Sequence, residues 1–158
     1  MPAKELKTIL TGGELQIVKA QYDAIAMGKL LSLTLTTQYP PISPYLAAIG
    51  KELYPEFKGK PPGPLPAANR ERCLVALLAS RSRRLELAIH LYLALVNGVD
   101  PEELAHILLT PCIYTGVDTI GAAFGVMQGT LEKLNALAKL NTADPTTVLQ
   151  ELAKIFPG

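Results

Sequence analysis

Residues 83–103 read RRLELAIHLYLALVNGVDPEE, and the fold follows from how this stretch divides. Between Leu85 and Val96 only Glu86, His90 and the Tyr92 hydroxyl interrupt the apolar run. A helix with so little polar surface is a buried one, so the stretch predicts a central helix over 83–97. Gly98 stands where a helix C′ residue belongs. Asp100, Pro101 and Glu103 then supply an N-cap, a proline at N1 and a glutamate at N3, the pattern of a capping box that opens the next helix. One helix stops and another starts within a few residues, with no strand between them.

Helical signals continue on both sides. Residues 67–80 form a helix with Leu74, Val75, Leu78 and Ala79 on its apolar side. The helix after Asp100 runs to about Leu109, ahead of Pro111. A further helix over 117–140 carries Gly121, Gly125 and Gly129 at four-residue spacing. Each interior glycine costs about 0.5–1 kcal/mol relative to alanine, so the row predicts close approach of another helix, within or between subunits. Asp144-Pro145 repeats the cap-and-proline device for a last helix to about Phe156.

The N-terminal part differs in kind. Eight of the 13 prolines fall between Pro40 and Pro66, which rules out a long helix or a central strand there. Before them, 14–31 has a helical period. Leu33-Thr34-Leu35-Thr36 alternates like a strand, but a lone strand is unstable, so it reads as a continuing helix or an extended arm. Ser43-Pro44 supplies an N-cap and a first-turn proline for a short helix over 44–53, and 58–66 is a loop or linker. With no alternation of strand and helix and no internal repeat, the fold class is all-α, a helical bundle with an N-terminal arm. The division is 1–66 for the arm and proline-rich segment and 67–158 for the helical domain.

Composition limits the function. A net charge of +1 gives no basic footprint for nucleic acid. Hydrophobic content of 49% against 18% charged residues excludes a disordered chain and leaves apolar surface for subunit association. The N-terminal residues are polar without an apolar signal segment. The charge-poor stretch 104–127 is broken by Pro111 and three glycines, so it is no membrane span. A soluble, cytoplasmic protein that meets neither membrane nor nucleic acid is expected.

Chemistry concentrates on two neighbouring helices. Arg83, Glu86, His90 and Asn97 share one helical face. A polar stripe on a buried helix costs several kcal/mol unless its members find partners, so it is either a structural network or the wall of a site. On the preceding helix, Leu74, Val75 and Leu78 follow Glu71 at i+3, i+4 and i+7, which turns that carboxylate toward the core. Glu71 and His90 each lie about two turns from the link at 80–82, so at about 1.5 Å per residue they sit level. A buried carboxylate beside an imidazole is a proton-transfer pair.

The run RERCLVALLASRSRRLELAIHLYLALVNGVDPEELAHILLTPCIYTGVDTIGAAF, within residues 67–127, resembles the carboxymuconolactone decarboxylase family, which includes alkylhydroperoxidase D. The resemblance rests on Arg-Glu opening one helix, a histidine in the next, Asn-Gly-Val, an acidic pair and Tyr-x-Gly. It implies the AhpD-like helical fold and assembly as trimers or hexamers. The peroxidase branch carries Glu-x11-Cys-x2-Cys-x3-His; here Glu71 and His90 occupy the ends, while Arg83 and Glu86 occupy the cysteine positions. Disulfide-cycling chemistry needs two neighbouring sulfurs, and Cys73 and Cys112 match neither position. They read as buried, unreactive thiols.

The decarboxylase branch lacks the cysteine pair and uses no cofactor or metal. It implies acid–base chemistry on a small carboxylated lactone or related organic acid, by decarboxylation or isomerisation. His90 would be the acid/base and Glu71 its partner, with Arg83 or Arg70 binding the substrate carboxylate bidentately. Glu86 would line the site or neutralise Arg83 through an i+3 ion pair. Tyr114, ahead of Gly116, would face the site or sit in the core. His106 reads as a surface residue and Glu103 as a helix cap. The alternatives are a relic of the thiol peroxidases and a non-catalytic oligomer that binds a small molecule. With no phosphate-binding loop, no His-Glu-x-x-His and only two histidines, a metal site is not expected.

Overall fold

The computed structural model describes residues 3–81 and 83–157. The described residues form helices α1 (Ala3–Leu6), α2 (Gly12–Gln21), α3 (Ala24–Gln38), α4 (Ser43–Glu52), α5 (Ala67–Ala79), α6 (Arg84–Val96), α7 (Pro101–Leu109), α8 (Cys112–Thr115), α9 (Val117–Lys139) and α10 (Pro145–Ile155), and no strand. Two 3-10 turns, Pro40–Ile42 and Pro55–Lys58, flank α4. The protein is all-α, as the periodicities predict.

Helix α6 is the axis of the bundle. It packs on α5, α9, α2 and α10, and Leu87, Ala88, Leu91, Leu93, Ala94 and Leu95 are all buried. Full burial of one leucine stabilises the fold by about 1.5–3 kcal/mol, so this one helix supplies a large share of the core. Its end is a Schellman turn: Gly98 has φ +90°, Val99 N–H donates to the Ala94 carbonyl at 3.0 Å, and Gly98 N–H donates to that of Leu95 at 3.1 Å. The Asp100 carboxylate accepts from Glu102 N–H at 2.7 Å and starts α7. Asp144 likewise accepts from Thr146 and Thr147 N–H to start α10.

The N-terminal part departs from the sequence reading in two places, over 14–31 and at Ser43, and at 33–36 it takes the continuing helix rather than the extended arm. The single helix expected over 14–31 is two, because Asp23 caps a new helix by accepting from Ile25 and Ala26 N–H at 2.9 and 3.0 Å. The strand-like Leu33–Thr36 stretch is helical; the Thr34 and Thr36 hydroxyls donate back to the carbonyls of Leu30 and Ser32, which accommodates the β-branched residues. Ser43 is the first residue of α4 and makes no cap bond. The Pro40–Ile42 turn runs directly into the helix, so the chain needs no separate start there.

The glycine row on α9 splits. A Cβ on Gly129 would lie 3.0 Å from Phe156, so α10 closes on α9 at that point, whereas at Gly121 and Gly125 it would meet nothing within 4 Å. A closer approach occurs at Gly28 on α3, where a Cβ would stand 2.5 Å from Phe57 Cβ. Phe57 belongs to the Pro55–Lys58 turn, so Gly28 is what lets this turn seat against α3. Gly28→Ala is expected to lower the unfolding free energy by about 1–3 kcal/mol, the range for overpacking a filled core. Urea denaturation measures it, and unchanged stability would mean that the turn does not bear on α3.

Candidate functional site

The helical pair α5–α6 brings Glu71 and His90 together. Glu71 is fully buried, at 0% side-chain exposure, and its Oε2 lies 2.7 Å from His90 Nδ1; the imidazole is 19% exposed. A carboxylate only accepts, so Nδ1–H donates to it and Nε2 carries the free lone pair or the second proton. The i+3, i+4 and i+7 pattern after Glu71 turns its carboxylate to the core and the distance from the link puts it level with His90, but spacing alone leaves direct contact open.

The other oxygen of Glu71 is held by its neighbour. Arg70 Nε donates to Glu71 Oε1 at 2.9 Å, Nη2 donates to Glu56 Oε1, and Nη1 donates to the Leu53 carbonyl. The guanidinium also lies 3.8 Å over the Tyr54 ring, which stacks on Phe57 with centroids 4.7 Å apart. Burial alone would lower the Arg70 pKa, but the Glu56 hydrogen bond and the Glu71 charge outweigh it and the net direction is up. The cation is permanent. Arg70 is therefore structural scaffolding at 5% exposure, not the open carboxylate clamp expected of it.

Tyr22, at the end of α2, stands edge-on to Tyr92 of α6 with centroids 5.9 Å apart. Both phenol oxygens are buried without a hydrogen-bond partner among the described residues. Burial pushes the Tyr22, Tyr54 and Tyr92 phenols well above their ordinary range, and the charges of Glu56 and Glu71 push Tyr22 further. All three stay neutral.

The remaining polar residues disperse. Arg83 Nε and Glu86 Oε1 pair at 3.2 Å on the surface, with side chains 65% and 44% exposed. Asn97 turns back to donate to the Leu93 carbonyl at the end of α6. Tyr114 neither faces the site nor enters the core; it is 91% exposed, on the short helix α8 that leaves its ring without cover. Cys73 is exposed rather than buried, because it points away from the core-facing side that Glu71 and Val75 define. The side chain of Cys112, and Ser82 in the α5–α6 link, lie outside the described residues. Glu103 accepts from Arg72 Nε at 2.6 Å, and His106 is exposed with Nδ1 2.8 Å from the Glu102 carbonyl.

Leu53, Tyr54 and Glu56 are the site residues that sequence reasoning missed. They come from the proline-rich segment, which has no periodicity to mark an inward face. The available signal was indirect: a buried Arg-Glu pair with one carboxylate too few for both the guanidinium and the imidazole.

Among the described residues no group of His, Cys, Asp and Glu is placed to hold a metal ion, and no helix is long and apolar enough to cross a membrane. A shallow cleft between α5, α6 and α9 is floored by Ala79, Leu87, Ala123 and Val126 and opens at Arg83, about two turns ahead of His90.

The described residues thus form an all-α bundle with a buried carboxylate–imidazole contact between consecutive helices. The chain belongs to the carboxymuconolactone decarboxylase family, whose profile it matches over residues 46–129, more than half its length. That match begins before residue 67 and takes in α4 from Leu46 onward and the Pro55–Lys58 turn. No curated protein and no solved structure matches the chain.

Proposed function

We propose that this protein carries out cofactor-independent acid–base chemistry on a small carboxylated lactone or related organic acid, as a decarboxylase or isomerase. The contact between Glu71 Oε2 and His90 Nδ1 supports this reading most. A carboxylate held in place by Arg70 fixes the imidazole in one orientation, with Nδ1 toward Glu71 and Nε2 left for the substrate. In decarboxylation, the bond from the ring carbon to the carboxylate breaks and its electron pair passes into the conjugated lactone. Carbon dioxide leaves, and the proton on Nε2 goes to carbon. A proton from water restores the imidazolium, so the step balances without an oxidant or reductant.

Substrate binding falls to Arg83. Its pair with Glu86 is exposed, and such pairs contribute only about 0–1 kcal/mol. A substrate carboxylate can therefore displace Glu86 and take the guanidinium bidentately, with its ring over the cleft floor. Arg83→Ala is expected to raise KM about tenfold with kcat nearly unchanged, the signature of lost ground-state binding. An equal fall in kcat would move Arg83 into the chemistry.

The test of the reading is a screen of unsaturated lactones and small carboxylic acids, read as carbon dioxide release or proton uptake. No turnover of any of them would remove it. Thiol peroxidase chemistry is disfavoured because Arg83 and Glu86 stand where a cysteine pair would be. Exposed Ile113, Tyr114 and Val117, beside the open glycine positions of α9, support association of copies of the chain into a homo-oligomer.

A further inference from the structure

The Glu71–His90 contact stands in a cluster whose charges can be counted. Arg70 carries one positive charge, and two carboxylates touch it: Glu71 through Nε and Glu56 through Nη2. With Glu71 alone, the guanidinium and carboxylate would cancel, and a proton on His90 would leave a surplus positive charge beside a fully buried group. With Glu56 present the cluster holds one negative charge in excess, which an imidazolium neutralises. Glu56 itself is partly open, with its side chain 22% exposed.

We propose that Glu56, delivered by the Pro55–Lys58 turn, is a positioning residue that neutralises Arg70 and so frees the charge of Glu71 for the proton carried by His90. The proposal concerns proton binding at His90. It rests on the functional reading above only in that this proton is the one used.

The other groups around His90 leave this role to Glu56. From α5, Glu71 touches it, and Arg70 lies on the far oxygen of Glu71. At the end of α2, Tyr22 is a neutral phenol. The buried side chains of α9 include Ala123, Val126, Met127 and Thr130, and Lys133 of that helix pairs with Glu151 of α10. Asp144 caps α10 and is tied to Thr146 and Thr147. On α6 itself, Glu86 and Arg83 pair with each other. None of these is a second anion on Arg70.

The experiment follows the His90 ring proton by NMR against pH in the full chain and in Glu56→Gln, with exposed His106 as an internal reference. Gln keeps an acceptor for Arg70 and removes the charge, so a purely structural role would survive the change. The expected result is that His90 in Glu56→Gln holds its proton about two- to tenfold more weakly, the Coulomb scale for one charge acting from beyond Arg70 and Glu71, while His106 does not move. Glu56→Asp, whose carboxylate stands one methylene further off, falls in between. An unmoved His90 midpoint in Glu56→Gln overturns the proposal. Should that variant not fold, a Glu56→Asp protein with the midpoint of the unaltered chain overturns it by itself. A shifted midpoint in a protein that turns over none of the screened acids upholds the charge account and removes the enzymatic one.

Discussion

Arg70→Ala is expected to lower the unfolding free energy by about 3–5 kcal/mol, the cost of leaving a buried charge without its partner. Glu71 has no exposed surface and would keep only His90. The Tyr54 face and the Leu53 carbonyl would lose their cation as well. Arg70→Lys does not restore the loss. A lysine is a point charge, whereas Arg70 meets two carboxylates and a carbonyl at three of its nitrogens and still lies flat on a ring. Urea denaturation with an unchanged m-value measures the effect. A loss below about 1 kcal/mol would mean that water reaches Glu71 readily, which contradicts its burial.

The second large effect is on turnover. With a substrate from the screen in hand, His90→Ala is expected to lower kcat by about 10²–10⁴, the range for removing a positioned general acid or base. KM should change little, because substrate affinity is assigned to Arg83. The imidazole is partly exposed, and Glu71 retains Arg70 after the change, so the helical content should be kept. Far-UV circular dichroism on the same sample separates lost chemistry from lost structure. Unaltered kcat would take His90 out of the mechanism.

The sequence made part of this site legible and concealed the rest, for identifiable reasons. Glu71 and His90 lie on helices with strong periodicity, so their faces and their level could be read from residue spacing. Helix stops at Gly98 and starts at Asp100 and Asp144 were legible because capping is local chemistry. Arg70 was misassigned because its partners are remote: Leu53, Tyr54 and Glu56 sit 14–17 residues earlier, in a stretch where prolines erase any period. Cys73 and Tyr114 were placed inward although apolar or weakly polar side chains are common on surfaces, and nothing local distinguishes the two cases. Asp23 broke a helix that periodicity carried straight through, since a cap bond of two donors outweighs the preference of a few flanking residues. The seat of Phe57 on Gly28 had no signature beyond a glycine inside a helix.

Between Glu56 and Arg70 the chain passes through Pro61, Pro62, Pro64 and Pro66. Each proline restricts the unfolded chain as well as the folded one, so ordering this connection sacrifices less conformational entropy than a flexible tether of equal length would. The link thereby raises the effective concentration of one carboxylate at one guanidinium. Stiffness in a segment with no side chain at the histidine becomes a determinant of how firmly the guanidinium behind the Glu71–His90 contact is held.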